Sequence, residues 1–210
     1  ILMERFAEDA SLLEKLRSFL KQEATLSARL VPGKEQEGAK FSDYFEHDEP
    51  LRSAPSHRAL AIFRGRNEGV LSASLKVGEE TPGVATPGSM HPCEGMIGER
   101  FGISSQGRAA DKWLGEVVRW TWKVKLYTHL ETDLFGELRE QAESEAINVF
   151  ARNLHDLLLA APAGPRATLG LDPGLRTGCK VAVVDATGKL LDTATVYPHV
   201  PHNRWDETLA

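Results

Sequence analysis

The sequence predicts a mostly α-helical region followed by the opening of a truncated α/β domain. Three observations carry this reading. Apolar residues recur at helical spacing over much of residues 1–160. The run Ala161-Pro162-Ala163-Gly164-Pro165 then breaks the helical pattern, because proline lacks a backbone donor and clashes with the turn before it. Beyond it come three short β-type runs separated by glycine-containing turns. The domain boundary is therefore expected between residues 1–164 and residues 165–210.

In residues 1–30, Leu12, Leu16, Phe19 and Leu20 repeat at helical spacing, with Leu2, Phe6 and Leu13 adding apolar content and Asp9 and Ser11 interrupting. Val31-Pro32-Gly33 ends that helical region, and residues 34–40 read as a charged loop. Phe41 to Glu46 reads as a short helix. Ser56 is expected to N-cap a helix bearing Ala59, Leu60, Ile62 and Phe63, stopped by Asn67-Glu68-Gly69. Val70 to Val77 alternates as a lone strand would, and the Pro- and Gly-rich residues 78–92 read as a loop.

Cys93 to Phe101 predicts a short helix. A long helix is expected from near Ala109 to about His129, with Trp113, Val117, Trp120, Val124 and Tyr127 as one buried seam and Lys112, Arg119, Lys123 and Lys125 off it. A second long helix is expected from about Thr132 to Ala160. Its acidic first half reads as a solvated face, and Ile147, Phe150, Leu154 and Leu157 as a buried stripe. Three strands, Ala167–Asp172, Cys179–Asp185 and Leu190–Tyr197, then form an antiparallel meander before a helix opens at Trp205.

Composition narrows the function classes. Hydrophobic residues make up 41% and charged residues 26% of the 210, as in ordinary globular chains. A net charge of −5 excludes a bulk basic nucleic-acid binder, so any such contact needs a local patch. Two distant cysteines, Cys93 and Cys179, argue against a disulfide framework or a zinc site and fit a reducing cytoplasm. No apolar run approaches a membrane span, and no signal-peptide pattern opens the chain. Ile1 begins inside an amphipathic repeat, and the helix opening at Trp205 has no C-cap, so a fragment of a longer protein is expected.

Chemistry concentrates at Asp172. A carboxylate at a strand end before a glycine turn suits a divalent metal, but phosphoryl chemistry takes several converging carboxylates, and spacing alone places neither Asp185 nor Asp192 beside it. A turn cap is the commoner use of such a residue. Gly174-Leu175-Arg176-Thr177-Gly178 resembles an anion nest without P-loop spacing. Arg176 and Lys180 are candidates for phosphate contact, or ordinary hairpin charges. Arg58, Arg64 and Arg66, with Arg52, form the one dense basic cluster. They read as a nucleic-acid patch, or as partners of acids near Glu137–Glu145. Trp113, Trp120 and Trp122 could stack bases, but the seam assigns the first two to the core, leaving Trp122 to pack on a neighbouring domain. Ser56-His57 is no catalytic dyad, and His91-Pro92-Cys93 reads as loop.

Phe41-Ser42-Asp43-Tyr44-Phe45-Glu46, then Pro55-Ser56-His57-Arg58 through Gly69-Val70-Leu71, resemble the Tex family of bacterial transcription accessory proteins. So do Asp111-Lys112-Trp113-Leu114, Arg119-Trp120-Thr121-Trp122 and Leu169-Gly170-Leu171-Asp172-Pro173-Gly174. The resemblance implies part of a central helical region followed by a truncated RNase H-like domain of the YqgF type. Helix–hairpin–helix and S1 modules, which would carry much of the family's nucleic-acid binding, would lie outside this chain. It further implies a cytoplasmic, membrane-free scaffold that meets nucleic acid through the parent protein, and RNA polymerase or other transcription machinery. That scaffold would have no cofactor and no complete active site. The alternative is an RNase H-like nuclease or resolvase using magnesium or manganese, with Asp172 as a ligand and the other carboxylates supplied from elsewhere. An actin-like ATPase phosphate loop is a third reading, supported by fold analogy only.

Overall fold

The computed structural model describes residues 1–77, 90–174, 177–200 and 202–209. The chain divides into two compact units, Ile1–Asn153 and Leu154–Ala210. The architecture is mostly helical, followed by a small three-stranded sheet.

The first unit opens with helices α1 (Leu2–Ala7) and α2 (Ala10–Glu23). Asp9 separates them by capping α2, its Oδ1 accepting from Leu12 N at 2.8 Å. Leu12, Leu16 and Leu20 recur every four residues and are fully buried. Each contributes about 1.5–3 kcal/mol by leaving water.

Helical spacing was expected to persist to residue 30, but α2 stops at Glu23 and strand β1 follows at Thr25–Leu30. Ala24 is extended (φ −75, ψ 146), and Leu26 and Ala28 then face the core at the two-residue period of a strand. β1 is the centre of an antiparallel sheet, flanked by β2 (Glu46–Pro50) and β3 (Leu71–Lys76) in the order β2-β1-β3. The strand expected at residues 70–77 therefore forms but is not alone: Leu26 pairs with Leu75 and Glu49 on its two sides. Only the first part of the helix expected at Phe41–Glu46 exists, as a 3₁₀ turn over Ala39–Tyr44. β2 is almost wholly polar because it is an edge strand, and of its five residues only Glu49 is buried.

Helix α3 spans Ser56–Asn67. Pro55, extended at φ −65 and ψ 140, is the residue before it, so Ser56 is the first helical residue rather than the N-cap. Its hydroxyl instead donates to Glu145. Gly65 lets α3 lie close on β3: a Cβ there would stand 2.6 Å from Leu71 Cδ1. Of the loop expected at residues 78–92, residues 78–89 lie outside the described residues, and Pro92 already belongs to helix α4 (Pro92–Arg100). His91 caps α4, its Nδ1 accepting from Cys93 N at 3.1 Å, where a loop was expected.

The two long helices predicted further on are one continuous element. Helix α5 (Asp111–Trp120) passes through a wide π-type turn (Thr121–Leu126) into helix α6 (Tyr127–Leu158). The predicted seam meets the core only in part: Val117 and Tyr127 pack against it, and the other three residues do not. Trp113, Trp120 and Val124 are 57%, 59% and 51% exposed, whereas Val118, Thr121, Trp122, Leu126, Leu130 and Leu134 are buried. The inward face of α5 lies to one side of the predicted stripe, and the wide turn adds a residue before the four-residue repeat Leu126, Leu130, Leu134. Trp122, expected against a neighbouring domain, stacks on His91 at 5.0 Å and meets Tyr127 edge-on at 5.7 Å within the core. Tyr127 Oη lies 2.9 Å from Leu75 O and 2.7 Å from Glu131 Oε1, which also accepts from Leu75 N, tying α6 to β3. Past Ala142 the helix buries nothing: Ile147, Phe150, Leu154 and Leu157, read as a buried stripe, are exposed.

The second unit holds strands β4 (Thr168–Asp172), β5 (Cys179–Val184) and β6 (Leu190–Val196), then helix α7 (Trp205–Leu209). They form the predicted antiparallel meander in the order β4-β5-β6. Gly178 sits at φ +85, and a Cβ on it would stand 2.6 Å from Tyr197 Cε1 and 2.8 Å from Thr195 Cγ2. Only glycine meets both the left-handed backbone and that close approach. Among the described residues, no helix is long and apolar enough to cross a membrane.

Candidate functional site

Two groups of residues bear on function, one in each unit. The first begins on α3. Arg58 Nη2 lies 2.8 Å from Glu49 Oε2, and His47 Nε2 lies 3.3 Å from the other oxygen of that buried carboxylate. An ionised carboxylate away from water needs such a partner, so Arg58 is committed to β2. Arg64 Nε pairs with Glu68 Oε1 at 3.0 Å, one helical turn on, and Lys40 takes the second oxygen at 2.6 Å. These neighbours hold the Glu68 carboxyl below its ordinary range, Lys40 first and Arg64 second. The carboxylates expected near Glu137–Glu145 serve other groups: Glu137 pairs with Lys21 at 2.5 Å, and Glu145 accepts from Ser56.

Arg66 differs from its neighbours. Its guanidinium lies 5.4 Å from the centre of the Phe135 ring on α6, while Arg139 from α6 lies 4.9 Å from the Phe63 ring on α3. The two rings meet edge to face at 5.7 Å. Each helix thus lays an arginine over the other's phenylalanine, an attraction between a cation and the ring's negative face. Arg139 carried no signal in the basic-cluster reading because it stands inside an acidic stretch of sequence.

The second group surrounds Asp172 at the end of β4. Its nearest charged partner among the described residues is Lys180, at 3.8 Å, with both side chains largely in solvent. Arg176 lies outside the described residues. Strand register decides what else reaches the carboxylate. Asp172 pairs with Lys180, and Lys180 with Thr195. Asp192 pairs with Val183, opposite Leu169, three residues along from the Asp172 rung. An odd offset puts the two carboxylates on opposite faces, about 10 Å apart along the strand direction and two strands apart across the sheet. Asp185 closes the β5–β6 turn: its Oδ1 accepts from Thr187 N at 2.8 Å, Thr187 Oγ1 at 2.6 Å and Lys189 N at 3.0 Å. Those bonds, the Thr187 hydroxyl first, hold its carboxyl below the ordinary range. Asp185 thus caps its turn in the way expected of Asp172, whose own following turn includes residues outside the described ones. Among the described residues, no group of three His, Cys, Asp or Glu side chains could hold a metal ion. Among the described residues the donor set around Asp172 is one carboxylate beside an ammonium, which does not by itself fit a divalent cation.

Sequence patterning also hid two residues that the structure leaves open, Trp113 and Trp120. The signal that could have found them is the cation immediately before each, Lys112 and Arg119.

Comparison with known proteins follows the same division of the chain. A family model described as Tex central region-like matches residues 1–150, and one described as Tex protein YqgF-like domain matches residues 166–210. The chain is 62% identical to Protein YhgF of Escherichia coli, across 95% of this chain and 25% of that protein. It is 54% identical to Protein tex of Bordetella pertussis, across 100% of this chain and 26% of that one. It is also 54% identical to the Transcriptional accessory protein Tex of Neisseria gonorrhoeae, across 97% and 26% respectively. It therefore spans about a quarter of the length of these curated relatives. With the central-region match covering residues 1–150 and a YqgF-like match after it, the chain belongs to the Tex family.

Proposed function

We propose that this chain is a scaffold segment of a cytoplasmic transcription accessory protein, which meets nucleic acid and the transcription machinery, RNA polymerase included, without chemistry of its own. The name of the Neisseria relative supports the transcription role. The observation that carries the non-enzymatic part is the β4–β5–β6 register, which sets Asp192 on the face opposite Asp172 and leaves Lys180 as the neighbour. Arg66, Arg64, Lys180 and Arg176 are the contacts we assign to phosphate, with Arg58 secondary because Glu49 already holds it. Of these, Arg66 is the best placed, since its cation rests on an aromatic ring and not on a carboxylate.

The competing reading is a metal-dependent RNase H-like nuclease with Asp172 as a ligand. The test is incubation of the protein with branched and RNA–DNA hybrid substrates in magnesium or manganese, beside a binding titration. The scaffold reading expects intact substrate, and binding that weakens with salt and on joint Arg64→Ala and Arg66→Ala substitution. Metal-dependent cleavage abolished by Asp172→Asn would overturn it.

A further inference from the structure

We propose that the solvent face of α5 is a stacking platform for single-stranded nucleic acid, with Trp113 and Trp120 as its two base-stacking rings. This rests on the nucleic-acid reading above and names a site for it. The two indoles are 57% and 59% exposed, whereas no large apolar side chain of α2, α3 or α4 is exposed. They stand seven residues apart, two helical turns, so they share one face about 10.5 Å apart along the axis. That spacing gives each ring room for a base of its own. Val124, 51% exposed, extends the same face by one turn.

Charge says what covers these rings. Lys112 precedes Trp113, Arg119 precedes Trp120 and Lys123 precedes Val124, and all three cations are exposed. Among the described residues, the ion pairs of this stretch are Arg108–Asp111 and Lys125–Glu4, which leave Lys112, Arg119 and Lys123 without a carboxylate. In a chain of net charge −5, residues 112–125 carry four cations against one acid, Glu116. Exposed aromatic rings flanked by unpaired cations match what single strands offer, namely unstacked base faces along a phosphate backbone. A duplex keeps its base faces stacked, and an apolar protein partner would give the cations nothing to pair with. Glu116, between the two rings, opposes the phosphate and serves as an internal control.

The test titrates the whole chain with a fluorescent thymidine homopolymer, reading anisotropy and tryptophan quenching at low and high salt. Trp113→Ala with Trp120→Ala is expected to weaken binding about tenfold or more. Phenylalanine at both positions should recover most of that loss, and Glu116→Gln should tighten binding. The circular dichroism spectrum should be unchanged in each variant, because neither indole is in the core. Wild-type affinity in the alanine pair overturns the platform while leaving the nucleic-acid reading intact. Absence of oligonucleotide binding by the wild type at low salt removes that reading, and the platform with it. A change in self-association, read by sedimentation, with unchanged oligonucleotide binding assigns the face to a second copy of the chain and also overturns the platform.

Discussion

Asp192 shares a rung of the second sheet with Leu169, through Val183, and not with Asp172. The two carboxylates are thus on opposite faces of the sheet. A Lys180 ammonium 3.8 Å from Asp172 disfavours a cation there further. Magnesium at millimolar concentration should therefore leave the melting temperature of the chain unchanged, in wild type and in Asp172→Asn alike. A ligand that binds only the folded form raises that temperature by mass action, so calorimetry with and without the ion is decisive. A rise seen in the wild type and lost in Asp172→Asn would contradict the register argument.

Arg58 and Arg66 lie two turns apart on α3 but hold different partners. Arg58 neutralises buried Glu49, and removing it strands a charged acceptor away from water. Arg58→Ala should cost about 2 kcal/mol in denaturant unfolding. Arg66→Ala, which removes only a contact with the face of Phe135, should cost less than about 1 kcal/mol. Equal losses would contradict the distinction between an arginine held by a buried carboxylate and one resting on a ring face.

How much of this was legible in sequence depended on whether local pattern or tertiary pairing decided the element. Leu12, Leu16 and Leu20 announced α2, and Pro173-Gly174 after Asp172 together with Gly188 announced the meander, because each signal is local. β1 was hidden because Thr25-Leu26-Ser27-Ala28 follows a helix without proline or glycine between them. β2 was hidden because an edge strand of Glu-His-Asp-Glu-Pro has no apolar alternation to read. The α5 seam failed differently: the heptad-like spacing of Trp113, Trp120 and Val124 is real, but it marks the solvent face. At the site, residue types were legible and their relations were not. Nothing in the spacing shows that Glu49 holds Arg58, or that Arg139 lies over Phe63.

Asp48 ties edge strand β2 to the centre of its sheet through a 2.5 Å ion pair with Arg29. The Arg29 hydrogen bond, opposed by partial desolvation, lowers the carboxyl from its ordinary 3.8 to about 2. The native form thus holds this proton less tightly than the unfolded chain does. Its stabilising contribution is complete above pH 3.8 and is lost as pH falls through about 2. Asp48→Asn should lower stability at neutral pH and flatten the acid limb between those values, followed by urea unfolding at stepped pH. An unchanged acid limb would place the acid sensitivity elsewhere.

Gly178 links the β4–β5 turn to the neighbouring strand. Alanine there would carry both a left-handed backbone and a methyl 2.6 Å from the Tyr197 ring. Gly178→Ala should cost about 1–3 kcal/mol of local stability. Hydrogen exchange should quicken at the amides of β5 and β6 and stay unchanged at α2. Uniform acceleration across both units would mean that the two unfold together.

Trp120 and Trp122 are two residues apart and should behave oppositely when truncated. Trp122 is 4% exposed, stacked on His91 inside the wide turn, and Trp122→Ala removes a large ring from a packed core, at a cost of about 3–5 kcal/mol. Trp120 is 59% exposed, so Trp120→Ala should stay within about 0.5 kcal/mol of wild type. The contrast tests the helical phase directly. If the helix followed the predicted seam, Trp120 would carry the large cost and Trp122 the small one. Guanidinium unfolding of the two single variants therefore reads out which face of α5 meets the core, independently of any ligand.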